Sequence, residues 1–136
     1  MANSTKRMDH DMTQAMYAER PTKPAVLQGL KLRCPNCAEG KLFKSYVKPV
    51  DTCATCGEDF THQRADDGPA YIVILIVCHI IGFMLHLLFE PLGRDPILLL
   101  LVLIPTAVIL SLWMLPRVKG GLIAFQWAKR MHGFGR

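Results

Sequence analysis

Four cysteines, arranged in two pairs, are the residues of this chain whose spacing best suits chemistry. Cys34 and Cys37 form one C-x2-C pair, Cys53 and Cys56 form the other, and fifteen residues separate the pairs. Two thiolates separated by two residues can occupy adjacent corners of a tetrahedron from one tight turn. A second such turn supplies the other two thiolates at about 2.3 Å from a metal ion. The spacing therefore predicts a four-thiolate zinc site.

The predicted Zn²⁺ is structural, because four thiolates leave no coordination position for a catalytic water. The alternatives are a disulfide or redox-active dithiol and a mononuclear iron centre. A disulfide would require an oxidising compartment. The sequence holds no nucleophile–base pair, no paired carboxylates and no glycine-rich phosphate loop beside the cysteines. We therefore expect the protein not to be an enzyme.

A second group of polar residues lies within or beside an apolar segment. His79, Gly82, His86 and Glu90 fall on one face of a helix, and ionisable residues at membrane depth are functional candidates. The two histidines are about 10.5 Å apart along the helix axis, too far to bind one metal ion. We predict that this face contacts a partner. In the competing interpretation, neutral imidazoles bond to another helix and Glu90 faces water.

The elements that position these residues follow from the distribution of charge. Overall, 51% of the residues are hydrophobic and 20% are charged. Of the 27 charged residues, 19 lie in 1–67, three in 68–116 and five in 117–136. The charge-free runs 68–89 and 96–116 contain 22 and 21 residues, and each can cross the roughly 30 Å hydrocarbon core of a bilayer. The sequence therefore predicts a small membrane protein and excludes a sizeable soluble catalytic domain.

Four segments are predicted along the chain. We expect a mobile N-terminal arm at 1–28 and a zinc ribbon with short β-strands at 29–64. A transmembrane hairpin follows at 65–118, with spans at about 69–89 and 96–116. A basic C-terminal interfacial helix or tail at 119–136 completes the chain, with Trp127 expected to anchor it at the membrane surface.

The basic residues predict the orientation of the hairpin. Ten precede the first span, one lies in the connection and five follow the second span, so both termini are expected in the cytoplasm. The net charge of +5 resides mainly in the C-terminal tail, because residues 1–67 carry ten basic and nine acidic side chains. We therefore expect anionic lipid headgroups to contact the tail, and we do not expect nucleic-acid binding.

The chain resembles the bacterial membrane proteins grouped as domain of unknown function 983. The resemblance rests on CPNC at 34–37, CATCG at 53–57 and DDGPA at 66–70. It continues through His79, Glu90 and Pro105 to the segments 116–120 and 126–127, and it covers about residues 30–133. It implies a protein of the bacterial cytoplasmic membrane. It also implies an association with respiration, because such genes often lie beside those for haem-copper cytochrome c oxidase subunits and assembly factors.

Three functions are therefore considered. The first is a non-catalytic accessory subunit or assembly factor of a respiratory haem-copper oxidase, with the hairpin packed against oxidase subunits. The second is a membrane-tethered zinc-ribbon module that recruits a soluble partner. The third is a metal or redox carrier that uses the cysteine quartet.

Overall fold

The computed structural model describes residues 7–8 and 20–134. Within 20–134 it contains helix α1 at Thr22–Leu30, helix α2 at Gly68–Leu92, helix α3 at Pro96–Ala128 and a short 3₁₀ turn at Met131–Gly133. Part of the arm predicted at 1–28 is thus helix α1, which packs on α3. Most of the rest of that arm, residues 1–6 and 9–19, lies outside the described residues.

Helices α2 and α3 form the predicted hairpin. Pro69 and Pro96 lie in their first turns, where a missing N–H breaks no helical hydrogen bond. Both helices are long and apolar enough to cross a membrane, and only 11% of the most apolar window of each is buried. The buried positions include Val73 and Val77 on α2 and Leu99 and Leu103 on α3, whereas the outer surfaces carry exposed Leu, Ile and Phe. An exposed apolar surface of this kind suits lipid better than water.

Helix α3 does not end near Pro116 but continues to Ala128, which differs from the separate interfacial helix expected at 119–136. A proline inside a helix removes the hydrogen bond to the carbonyl four residues earlier, here that of Leu112. The Tyr46 hydroxyl donates a hydrogen bond to this carbonyl oxygen. The carbonyl that Pro116 leaves without a helical partner is thus hydrogen-bonded, and the helix extends out of the apolar run.

The extension of α3 forms the centre of a folded unit that we call the head, residues 20–67 and 117–134. One apolar cluster joins all parts of the head; its buried members are Ala25, Cys34, Leu42, Cys53, Phe60, Ala65, Ile123, Trp127, Ala128 and Phe134. Trp127 is therefore only 5% exposed, and it does not lie at the surface as an anchor. The Arg20 guanidinium stacks 4.3 Å from its ring centroid and donates a 3.0 Å hydrogen bond to its carbonyl oxygen.

The short β-strands expected in the ribbon are not formed in the described residues. Isolated antiparallel bridges connect Arg33 with Lys41, Phe43 with Pro49, and Thr52 with Asp59. Each bridge stays isolated, because the residues beside it are not paired in a continuous ladder. The fold of the ribbon is stabilised instead by hydrogen bonds within its turns and by apolar packing on α3.

Candidate metal centre

Two similar turns bring the four cysteines together. The N–H of Ala38 donates to the Cys34 carbonyl at 2.9 Å, and the N–H of Gly57 donates to the Cys53 carbonyl at 3.0 Å. Ala38 and Gly57 both adopt positive φ, at 61° and 75°. Glycine tolerates this conformation freely, whereas alanine in the left-handed region costs about 1–2 kcal/mol. The first turn is therefore the strained one, and its partners must hold it in place.

The sulfur atoms have the arrangement of a tetrahedral site. Cys34 Sγ lies 3.7 Å from Cys56 Sγ, Cys37 Sγ lies 3.7 Å from Cys53 Sγ, and all four sulfurs lie within 4.8 Å of one another. A tetrahedron with metal–sulfur bonds of about 2.3 Å has edges of about 3.8 Å. Each 3.7 Å contact joins one cysteine of each pair, so both turns must be present to form the site. The quartet predicted from spacing is confirmed as a group that could hold a metal ion.

Neighbouring groups orient the sulfurs. The Gly40 N–H and the Asn36 side-chain amide donate 3.4 Å hydrogen bonds to Cys37 Sγ and Cys56 Sγ. A Cβ atom at Gly40 would lie 2.3 Å from Cys53 Sγ, so only glycine fits there. The sequence indicates the quartet, but it does not reveal that Gly40 is required for the sulfurs to approach.

Two thiols of the quartet, Cys34 and Cys37, have pKa values shifted in opposite directions. Hydrogen bonds from the backbone N–H groups of Gly40 and Glu39 lower the pKa of the Cys37 thiol to about 7. Burial raises the pKa of the Cys34 thiol. In the metal-free chain at neutral pH, Cys34 therefore keeps its proton, whereas Cys37 is partly ionised.

We expect metal retention to fall as the pH is lowered. Metal binding requires thiolates and displaces protons, so the head stability contributed by the metal falls as the pH is lowered. The fall steepens below about pH 7, where the metal-free Cys37 thiol is also protonated and must lose its proton to bind. Each displaced proton changes the apparent metal affinity by about tenfold per pH unit. Metal content after dialysis against a fixed chelator, measured between about pH 8 and about pH 5, tests this. A content that is constant across this range contradicts it.

The face of α2 that the sequence predicts to contact a partner lies roughly opposite the residues that pack on α3. We call it the polar face; it consists of His79, Gly82, His86 and Glu90. All four residues are exposed, and a Cβ atom at Gly82 would meet nothing within 4 Å in the described structure. His79 Nδ1 lies 2.7 Å from the Leu75 carbonyl oxygen, so the imidazole bonds to its own helix. The structure records no ion pair between His86 and Glu90. Nothing in residues 20–134 covers this face.

Two contacts at the edge of the ribbon were not foreseen from the sequence. The buried Gln126 side chain accepts a 2.9 Å hydrogen bond from the Arg64 N–H and donates another of 2.9 Å to the Arg64 carbonyl. Tyr46 contacts Leu112 in the same region between ribbon and α3. Gln126 lies 62 positions after Arg64 in the chain. No local sequence pattern predicts a hydrogen-bonded pair that is so far apart.

The fold and the site define a class of small proteins in which a four-cysteine head is fused to a hairpin of two membrane-length helices. The family model described as "Protein of unknown function (DUF983)" matches residues 43–127, and the chain belongs to this family. The match includes Cys53, Cys56 and the whole of α2, and it begins after the first cysteine pair. No curated protein and no solved structure matches the chain.

Proposed function

We propose that this protein is a non-catalytic, membrane-anchored subunit or assembly factor of a larger membrane complex. The observation that carries the proposal is the polar face on α2, which points away from α3 and is exposed. Imidazole and carboxylate groups are costly against lipid, so a neighbouring protein is the natural cover. Gly82 leaves room for the backbone of a partner helix to approach closely.

The specific partner that we propose is a respiratory haem-copper oxidase. The argument for it is the genetic association that the family resemblance implies. The chemistry of the polar face is compatible with this partner, because the His79 Nδ1 bond to Leu75 orients the imidazole and leaves Nε2 for a group outside the chain.

We assign Zn²⁺ to the cysteine quartet, in a structural role. Four thiolates in a closed tetrahedron suit zinc, which would staple the two turns of the head without offering an open position for chemistry. Cys34 and Cys53 are 0% and 3% exposed and belong to the apolar cluster that contains α3. The burial of these two cysteines favours a permanently bound structural ion over the metal or redox carrier considered above. It also argues against an independently tethered ribbon.

We place the head in the cytoplasm of a bacterial cell. Residues 20–67 precede α2 and residues 117–134 follow the apolar run of α3, yet they pack together, so two spans that cross the membrane keep the head on one side. A reducing cytoplasm keeps cysteines out of disulfides and so available to a metal. The five basic residues at 117–136 favour the same side.

We expect the double substitution His79→Leu and His86→Leu to leave membrane insertion intact but to reduce partner recovery by roughly tenfold. Leucine fits lipid well, whereas each lost interhelical hydrogen bond weakens association by about 0.6–2 kcal/mol. Affinity purification of the tagged full chain from gently solubilised membranes, with the bound oxidase subunits quantified, measures the effect.

The matched control is Leu101→Ala with Ile109→Ala, at exposed positions of α3 away from the polar face. This control should recover the partner as well as the wild-type chain does. Equal recovery with the histidine variant would mean that the polar face is not the contact. If the wild-type chain recovers no oxidase subunits while the oxidase itself stays intact, the proposed partner is wrong.

A further inference from the structure

A basic groove lies where the ribbon meets α3. Its cavity of about 540 Å³ is bordered by four basic side chains and one carboxylate, Glu39. The basic members are Lys31, Arg33, Lys41 and Lys44, and the rest of the lining includes Phe43, Tyr46 and Pro116. One of the cations, Lys44, already lies 3.5 Å from the exposed carboxylate of Asp51. Lys31, Arg33 and Lys41 thus provide the groove with its excess of positive charge, which suits an anion.

The position of the groove suits a membrane surface. Pro116 ends the charge-free run of α3, and Tyr46 contacts the Leu112 carbonyl one turn earlier. The groove therefore lies at the level where α3 leaves its apolar segment. In a protein inserted as proposed above, this is the level of the phospholipid headgroups.

An apolar groove of about 340 Å³ adjoins the basic groove, and Lys31 borders both. Its other lining residues are Leu27, Leu30, Trp113, Met114, Arg117 and Val118. Leu27 and Trp113 are 56% and 57% exposed, which is a large apolar surface for water to cover. The Arg117 guanidinium stacks 4.4 Å from the centroid of the Trp113 ring. A charged groove and an apolar groove that share a lysine match the two ends of an amphipathic ligand.

We propose that these two grooves together form a binding site for one anionic phospholipid. The phosphate lies against Lys31, Arg33 and Lys41, and an acyl chain follows Leu27, Leu30 and Trp113. Unlike the diffuse attraction expected for the C-terminal tail, this is a discrete site between α1, the ribbon and α3. A soluble phosphorylated molecule would use only the basic groove and leave the apolar groove in water. The inference rests on the proposed insertion of the hairpin in a membrane.

The experiment uses the full chain in detergent micelles, titrated with phosphatidylglycerol or phosphatidylcholine that carries brominated acyl chains. Bromine quenches nearby tryptophan fluorescence, and the signal reports Trp113, because Trp127 is 5% exposed within the head. We expect wild-type protein to bind phosphatidylglycerol at least about tenfold more tightly than phosphatidylcholine. The triple variant K31Q/R33Q/K41Q should lose this preference.

The matched control is K23Q/K48Q/K129Q, which removes the same charge at exposed positions that border neither groove. It should keep the preference for phosphatidylglycerol, and unchanged metal content in both variants will show that the head is folded. If both variants lose the preference equally, or if the groove variant keeps it, the site is overturned. If millimolar inorganic phosphate displaces phosphatidylglycerol from the wild-type chain, the ligand of the basic groove is a soluble anion and the proposed lipid is wrong.

A second experiment on the same protein tests membrane insertion separately from lipid binding. Vesicles of phosphatidylcholine alone should retain the chain after an alkaline carbonate wash, because the hairpin inserts by its apolarity. Loss of the chain in this wash would refute membrane insertion. Retention of the chain without a preference for phosphatidylglycerol would refute the lipid site alone.

Discussion

Substituting Cys34→Ser and Cys37→Ser together should abolish metal binding and unfold the head. These two residues supply one sulfur of each 3.7 Å cross-pair contact, and Cys34 is also a fully buried member of the apolar cluster. Structural zinc contributes about 10–16 kcal/mol to the folding of small zinc modules. That is more than a head of this size is expected to gain from its apolar core. We expect metal content to fall from one ion per chain to near zero and the head to become sensitive to protease.

The matched control is Cys78→Ser, which removes the fifth cysteine, an exposed residue of α2 outside the quartet. It should retain the metal and the protease resistance of the wild-type chain. Both variants should still insert in the membrane, because α2 and α3 insert by their own apolarity. A double variant that keeps a protease-resistant head without metal would contradict the stapling role, and a variant that fails to insert would show that the head directs insertion.

The second large effect is expected where α1 crosses α3. A Cβ atom at Gly29 would lie 2.3 Å from the Gly120 carbonyl oxygen, and one at Gly120 would lie 2.2 Å from the Gly29 carbonyl oxygen. Both obstacles are backbone atoms of packed helices and cannot rotate aside. Gly29→Ala or Gly120→Ala should therefore destabilise the head by about 1–3 kcal/mol or more, as overpacking does. Thermal unfolding of the purified full chain, followed together with metal release, measures this loss.

Gly121→Ala is the control, one residue further along α3. There a Cβ atom would first meet the side chain of Leu30, at 3.0 Å and 3.3 Å, and this side chain can shift. Alanine also favours a helix over glycine by about 1 kcal/mol. The substitution at residue 121 should therefore be close to neutral. If alanine at 29 or 120 were equally harmless, the close crossing of α1 and α3 would not be a feature of the folded protein.

The metal site and the hairpin are the parts that local sequence patterns determine. The cysteine pairs form their turns over a few residues, so spacing alone predicts that Cys34, Cys37, Cys53 and Cys56 can meet. The hairpin follows from the length of two charge-free runs, because a membrane-length helix needs apolar side chains and no specific partner. These predictions are confirmed to the extent that the quartet is assembled and two membrane-length helices are present.

The β-strands of the ribbon and the end of α3 could not be predicted in the same way. Residues 41–47 have strand-like composition, but in the described structure they form only isolated bridges, at Lys41 and Phe43. Pro116 is a stop signal in isolation, yet the helix continues to Ala128, and a tyrosine 70 positions earlier donates a hydrogen bond to the carbonyl that the proline leaves free. Tertiary contacts outweigh local preference at both places.

The sequence by itself determined which segments fit lipid, which residues can hold a metal ion and which face of α2 is polar, because each depends on composition or on a short repeat. Only the tertiary structure decided that the ribbon, α1 and the end of α3 form one head. The contacts responsible join residues far apart in the chain, such as Gly29 with Gly120 and Arg20 with Trp127. Such pairs leave no local signal, since packing selects them by shape and hydrogen bonding once the helices are in place.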